Sequence, residues 1–253
     1  MPTEANETNL DQMRQALSEL RRQHHDILQQ MRSGQKKYQL IATSVWRVQE
    51  QERRRLAREL HDGVGQNLTA LKNALVQLSA SSDDSQLTEQ LNMAVELCAQ
   101  SIADTRELSR LLRPQILDDL GLKAALNQLV RVTNRSGVQI EIICSGELDS
   151  INADLQTLAY RVVQEALNNV VKHARAKQCT VTVRVDGSAL KLDIIDDGCG
   201  FAPSLLTDPK QRSDAFGTVT MRERVALFGG SCVIQSRLNE GTRVKARIPL
   251  TLE

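Results

Sequence analysis

From Leu10 to Leu112 the large apolar residues of this chain recur at steps of three and four, a spacing that permits long amphipathic helices and little else. Leu10, Met13, Leu17, Leu20, His24, Ile27 and Met31 follow a seven-residue repeat, which predicts a coiled-coil seam within residues 1–49. His24 falls on that seam, where a polar residue tunes register, and His25 beside it is expected to be exposed. Ser33-Gly34 weakens the helix, and a second series runs through Tyr38, Ile41, Val45 and Val48. Leu56, Leu60, Val64, Leu68, Leu71, Leu75 and Leu78 form one further stripe. Leu87, Leu91, Ala94, Cys98, Ile102, Thr105, Leu108 and Leu112 form another, which Pro114 stops. With only the polar residues 80–85 between them, the last two helices predict an antiparallel hairpin over residues 50–113. One hairpin leaves apolar surface uncovered, and two copies cover it as a four-helix bundle, so a homodimer is expected.

After Gly121 the pattern changes. Residues 114–121 read as an interdomain link and 122–253 as a second domain. Within it, 122–132 reads as a short helix and 138–144 alternates as a strand. Asp154 is placed to cap a long helix with apolar positions Leu155, Leu158, Ala159, Val162, Ala166, Leu167, Val170 and Ala174. Strands are expected over 180–186, 190–196, 231–237 and 242–249, a loop over 202–215, and a helix over 221–228 stopped by Gly229-Gly230. Helices and strands mix without regular alternation, which predicts an α+β sandwich, a sheet with helices on one face. The chain as a whole is therefore expected to be a multi-domain α and α+β protein. Aromatic residues are 2% of its 253, so the cores must be built from Leu, Val, Ile and Ala.

Charge and cysteine content exclude several classes of function. The 32 basic and 31 acidic residues leave a net charge of +1, which provides no global field for nucleic acid or anionic lipid. Cys98, Cys144, Cys179, Cys199 and Cys232 are odd in number, with no two at metal-ligand spacing, and read as scattered reduced thiols. No stretch of ~18 apolar residues is present to span a membrane, and the N-terminus lacks the basic flank and apolar run of a secretory signal. A cytoplasmic protein is expected.

Three clusters carry chemistry. The first runs from Arg58 through His61, Asp62, Gly63 and Gly65 to Gln66. A histidine on a helix is most often a solvated polar side chain. Here Asp62 follows directly and can hold the neutral tautomer, or take a proton as a ring nitrogen attacks phosphorus. Gly63 and Gly65 each cost about 1 kcal/mol in a helix relative to Ala, which makes sense where a helix bends or another domain approaches closely. Gln66 lies four residues after Asp62, hence on its face, where it can position a water for the reverse reaction. Arg53, Arg54, Arg55 and Arg58 read first as a solvated face, and second as attraction for a phosphoryl group or acidic partner.

The second cluster is Glu165, Asn169 and Lys172, at i, i+4 and i+7 on one face of the long helix. Together they suit a magnesium–triphosphate: amide oxygen to the metal, carboxylate to a metal-bound water, lysine to phosphate. Asn168 lies off this stripe, and His173 either touches phosphate or makes a helix-end hydrogen bond. The third cluster is Asp196-Asp197-Gly198-Cys199-Gly200, in which the glycines allow a tight turn against a flat ligand and Asp196 can accept an adenine amino group. Many tight turns share that composition, and Cys199 reads as filler. Gly217 and Thr218 precede a helix whose N-terminus suits phosphate. Thr242 either lines the adenine pocket or belongs to a plain turn. The three clusters in this order point to a kinase that phosphorylates its own histidine.

These stretches together resemble the sensor histidine kinases that pair with NarL/FixJ-type response regulators, over about residues 50–250. Residues 52–68 resemble the family's phosphoacceptor box, His-Asp-x-x-x-Gln, and 112–122 its link to the catalytic domain. Residues 164–174 are similar to its N box, 196–201 to its first glycine box, 221–224 to the helix after its second, and 241–249 to its closing strand. The resemblance implies a Bergerat (GHKL-type) ATP-binding α/β sandwich, shared with gyrase and a class of chaperones. It implies that ATP with Mg²⁺ phosphorylates His61, and that the phosphoryl group passes to an aspartate of a response-regulator receiver domain. It implies Asp62 as helper base and Gln66 as a residue for regulator dephosphorylation. Asn169 would hold Mg²⁺, Asp196 would read adenine, and Gly198, Gly200 and Gly217 would shape the pocket. Thr218 and Thr220 stand where the family often has an apolar residue and a glycine. The rival reading is a nucleotide-binding dimer that acts mainly as a regulator phosphatase or as a non-phosphorylating switch.

Overall fold

The computed structural model describes residues 3–80, 85–112, 114–202 and 216–251. The chain divides into two units, Met1–Trp46 and Arg47–Glu253. A run of strong helix formers makes one uninterrupted helix, α1 (Thr3–Glu59). It passes straight through Ser33-Gly34, because one glycine weakens a long helix by only about 1 kcal/mol while the turns on either side are already formed. Of the coiled-coil positions, His24, Ile27 and Met31 are exposed; the side chains of Leu10, Met13, Leu17 and Leu20 lie outside the described residues.

At Leu60 the winding changes. Leu60–Gly65 is a π-turn, followed by α2 (Gln66–Ala80), and α3 (Ser85–Leu112) packs against both. Ser79 Oγ donates to Asn92 Oδ1 at 3.1 Å and Ser109 Oγ donates to the Ala57 carbonyl at 3.0 Å. Those pairings run in opposite directions along the two helices, so the hairpin is antiparallel. Ala57, Cys98 and Ile102 are buried in it, while Leu71, Leu78, Leu97 and Leu108 remain exposed. Residues 81–84 of the expected loop lie outside the described residues. Within the segment read as a link, Pro114 starts a short helix, α4 (Gln115–Asp119), and Arg54 pairs with Asp118 at 2.8 Å.

The remaining elements are α5 (Gly121–Thr133), β1 (Gln139–Ser145), α6 (Ala153–Asn169) with a second π-turn (Val170–Ala174), β2 (Gln178–Asp186), β3 (Ala189–Asp196), α7 (Phe216–Leu227), β4 (Ser231–Ser236) and β5 (Thr242–Pro249). The strands form one sheet in the order β1-β2-β3-β5-β4. β1 and β2 are parallel, with α6 in the crossover between them, and the other pairs are antiparallel. Alternation sends Ile140, Val181, Val183, Ile194, Val244 and Ile248 to one face, where α5, α6 and α7 bury them. Glu141, Arg184, Lys245 and Arg247 on the other face are exposed. The expected sandwich is therefore present, with its helices on one side.

Two expectations about helix starts are corrected. Asn152 caps α6, its side chain accepting from the Asp154 N–H at 2.8 Å, and the Asp154 carboxylate instead pairs with Arg47 at 2.7 Å. The helix expected to begin at Met221 begins at Phe216. Gly217, Thr218, Val219 and Thr220 are weak helix formers, but burial of Met221 and Val225 secures the helix they lead into. Residues 203–215 of the expected loop lie outside the described residues. All five cysteines are unpaired. Among the described residues no cluster of three His, Cys, Asp or Glu side chains is placed to hold a metal, and no helix is long and apolar enough to cross a membrane.

Candidate functional site

The first π-turn presents His61. A π-turn closes i→i+5, so it takes more residues to return to the same face than the 3.6 of an α-helix. His61 and Gln66, five apart, accordingly line one groove, with Thr69, Ala70 and Asn73 of α2 and Thr105 and Arg106 of α3. Asp62 lines a different depression, with Arg55, Arg58, Glu59 and Gly63. The expected shared face of Asp62 and Gln66 is not formed. His61, Asp62 and Gln66 are all exposed. No atom lies within 4 Å of where a Gly63 Cβ would stand, and a Gly65 Cβ would meet the Leu60 carbonyl at an ordinary 3.5 Å. These glycines therefore admit no close neighbour; their weak α-helix propensity eases the wider turn. Of the four arginines, Arg53 is 3.9 Å from Glu50, Arg54 is 2.8 Å from Asp118 and Arg55 is 2.6 Å from Glu52. Arg58 has no acidic partner among the described residues.

The second site is a cavity of ≈ 340 Å³. Asn169, His173 and Ala174 contribute to one wall, Ile194 and Asp196 of β3 to the floor, and Gly200, Phe201, Thr218, Met221, Ile234, Thr242 and Val244 to the rest. Its lining is mainly apolar with a few polar groups, the character of a site for a flat ring. Asp196 is the buried carboxylate, 8% exposed. It accepts the Gly198 N–H at 2.9 Å and the Thr242 N–H. Burial raises its pKa, the two hydrogen bonds oppose that rise, and the neighbouring Asp197 adds to it. Asp197 itself turns away, accepting the Lys177 and Gln178 N–H groups at 2.8 and 2.9 Å, and those bonds lower its pKa. The two adjacent acids thus separate into one facing the cavity and one securing the start of β2.

The expected stripe of Glu165, Asn169 and Lys172 breaks at the second π-turn. Asn169 and His173 line the cavity, whereas Lys172 is exposed and neither it nor Glu165 lies on the wall. Gly200 has φ +56°, and a Cβ there would collide with the Arg237 carbonyl, so only glycine fits. Gly198 acts through its N–H on Asp196, and Gly217 lies against Glu165, whose carboxylate a Cβ would strike. Sequence reasoning missed Ser236. Its hydroxyl accepts from the Phe201 N–H at 2.9 Å, donates to the Gly241 carbonyl at 3.1 Å and lies 2.9 Å from Thr242 Oγ1, tying the glycine loop to β5. It also missed Ile194, Ile234 and Val244; strand alternation was the signal that places them on the inner face.

Residues 52–117 match the histidine kinase family model, and residues 154–252 match the histidine kinase-, DNA gyrase B-, and HSP90-like ATPase model. The chain belongs to the histidine kinases. The first match spans the kinase's hairpin with His61, and the second spans the cavity around Asp196. Sensor histidine kinase MctS of Rhizobium johnstonii is 39% identical over 207 residues, which is 80% of this chain and 44% of that protein. Oxygen sensor histidine kinase NreB of Staphylococcus carnosus is 31% identical over 229 residues, 90% of this chain and 65% of that protein. The histidine kinase thus spans about half to two-thirds of the length of these curated relatives. Among solved structures, the histidine kinase domain of a blue-light activated kinase from Erythrobacter litoralis is 17% identical. It matches with a TM-score of 0.45, covering 73% of this chain and 94% of that one.

Proposed function

We propose that this chain is an ATP-dependent protein-histidine kinase that phosphorylates His61 and passes the phosphoryl group to an aspartate in the receiver domain of a NarL/FixJ-type response regulator. One observation carries the reading: an exposed imidazole on a π-turn and a mainly apolar cavity with a buried carboxylate stand in the same chain. Asp196 reads the adenine amino group, with Thr242 and Ser236 holding the loop that closes on the base. Asn169 is the residue for Mg²⁺; a hard cation bound largely by phosphate oxygens needs few protein ligands, which suits a wall with a single amide rather than a carboxylate cluster. Bound there, Mg²⁺ neutralises charge on the phosphates. Glu165, one turn before Asn169, would hold a water on the ion from outside the wall, and His173, Gly217 and Thr218 would serve the phosphate end, with Lys172 standing off the wall.

In the transfer, a ring nitrogen of His61 attacks the γ-phosphorus, the bond to the ADP oxygen breaks, and Asp62 or solvent takes the imidazole proton. Gln66, sharing the groove with His61, favours a second activity, orientation of a water that hydrolyses the regulator's phosphoaspartate. The exposed Leu71, Leu78, Leu97 and Leu108 support a homodimer in which two hairpins form a four-helix bundle. Incubation with γ-labelled ATP tests the proposal. An acid-labile, base-stable label on the wild-type chain, absent in His61→Gln, is the expected result; label persisting in that variant would move the acceptor elsewhere.

A further inference from the structure

The groove around His61 also holds a cation. Arg106 of α3 lines it together with His61, Gln66, Thr69, Asn73 and Thr105, because α3 packs against the π-turn Leu60–Gly65. No carboxylate lines this groove; Asp62 faces the other depression. The two hydroxyls are already committed as donors, Thr69 Oγ1 to the Gly65 carbonyl at 2.7 Å and Thr105 Oγ1 to the Ser101 carbonyl at 2.7 Å. Gln66, Asn73 and Arg106 are exposed, and none of the three has a hydrogen-bond or ion-pair partner among the described residues. The groove thus offers an imidazole, two amides and a guanidinium to whatever enters it, and no negative charge.

The other arginines near His61 are placed differently. Arg53, Arg54 and Arg55 lie 3.9, 2.8 and 2.6 Å from carboxylates, and Arg58 shares its depression with Glu59 and Asp62. Arg106 shares a groove with the imidazole and with no acid. A phosphoryl group is close to a dianion at neutral pH. A guanidinium meets such oxygens with two parallel N–H donors and keeps its charge at every working pH.

We propose that Arg106 is a catalytic residue of phosphoryl transfer: its guanidinium binds two oxygens of the phosphoryl group as that group arrives on His61, and holds it there. The inference rests on the kinase reading above. The ring nitrogen bonds to phosphorus, the bond to the ADP oxygen breaks with its electron pair left on ADP, and the ring proton goes to Asp62 or solvent. Arg106 moves no proton; it offsets the charge of oxygens that otherwise lie beside a neutral ring and neutral amides. Losing the guanidinium acts on the transfer and not on ATP affinity, because Arg106 does not line the cavity around Asp196.

The test uses the full chain, two phosphoryl donors and the variants Arg106→Gln and Arg106→Lys. Labelled ATP reports the whole reaction. Phosphoramidate reports the groove without the nucleotide cavity: its phosphorus–nitrogen bond breaks, ammonia leaves and the phosphoryl group joins His61. Arg106→Gln is expected to slow His61 labelling at saturating ATP by roughly ten-fold or more, with KM for ATP unchanged, and to slow loading from phosphoramidate by a similar factor. Arg106→Lys keeps the charge without the fork and is expected to recover part of both rates. Either variant is expected to melt within about 2 °C of wild type, since the side chain is exposed. A wild-type rate in Arg106→Gln with either donor overturns the proposal. So does a raised KM for ATP, a loss that Arg106→Lys does not relieve, or a loss that tracks a fall in melting temperature. A wild-type chain that loads His61 from phosphoramidate but never from ATP sinks the kinase reading itself, and the variants' phosphoramidate rates then still decide the role of Arg106.

Discussion

Leu97, midway along the hairpin helix α3, is 71% exposed, whereas Leu158, midway along α6, is fully buried. Leu158 belongs to the apolar stripe of α6, and Leu97 lies one position off the stripe of α3, which has the same spacing. The difference is what each stripe meets: α6 lies between a sheet and two other helices, while the hairpin has a single partner helix for each stripe. The glycines divide in the same way. Those beside His61 have open space around them, and those around Asp196 are packed against backbone. One half of the molecule is closed within a single chain, and the other leaves apolar surface exposed, the face of the proposed homodimer.

Substitutions at these positions break or sharpen that contrast. Leu158→Ala should lower the unfolding free energy by about 2–5 kcal/mol, because it opens a cavity in a sealed core; denaturant melts measure it, and a loss below that range would mean the core of α6 is not closed. Leu97→Ala should leave the melting of a single hairpin nearly unchanged but weaken self-association by about 1.5–3 kcal/mol for each buried leucine lost. Sedimentation at several concentrations reads this, and unaltered association would remove Leu97 from a dimer face. Gly63→Ala combined with Gly65→Ala should raise hairpin stability by up to ~1 kcal/mol at each position, since neither methyl meets an obstacle. The same change should tighten the π-turn, carry Gln66 out of the His61 groove and slow regulator dephosphorylation; retained dephosphorylation would show that the wide turn is dispensable.

The smallest effect is expected at Asp196. Its folded-state pKa is raised by burial, so the ionised carboxylate costs stability at neutral pH, and that cost disappears as pH falls below the unfolded carboxylate value near ~4. Asp196→Asn should therefore melt ~1–2 °C higher than wild type at pH 7 without nucleotide, with the advantage gone at acid pH. Adenine-nucleotide affinity should fall in the same variant. A melting difference that does not change with pH would rule out the buried charge as its source.

Most of the element order was legible from periodicity. The strands were placed within two residues of their ends, and the hairpin was read from two stripes and Pro114. The errors about faces share one cause. Gln66 was assigned to the face of Asp62, and Lys172 to that of Asn169, by α-helical arithmetic that fails at Leu60–Gly65 and Val170–Ala174. A π-turn re-aims every side chain after it, and nothing in the residue types at Val170–Ala174 announces one. Ser236 escaped for a different reason: its partners Phe201, Gly241 and Thr242 come from both sides of β4, and no local spacing relates them.

The sequence by itself determined where helices and strands form and which residue types can bind phosphate, metal and adenine, because those depend on local periodicity and on the chemistry of single side chains. Only the tertiary structure decided which of those residues share a wall, that Asp196 faces inward while Asp197 turns away, and that Glu50 finds Arg161 across 111 positions of chain. Such pairings depend on the packing of elements distant in sequence, and on how tightly each helix is wound where it meets its neighbours.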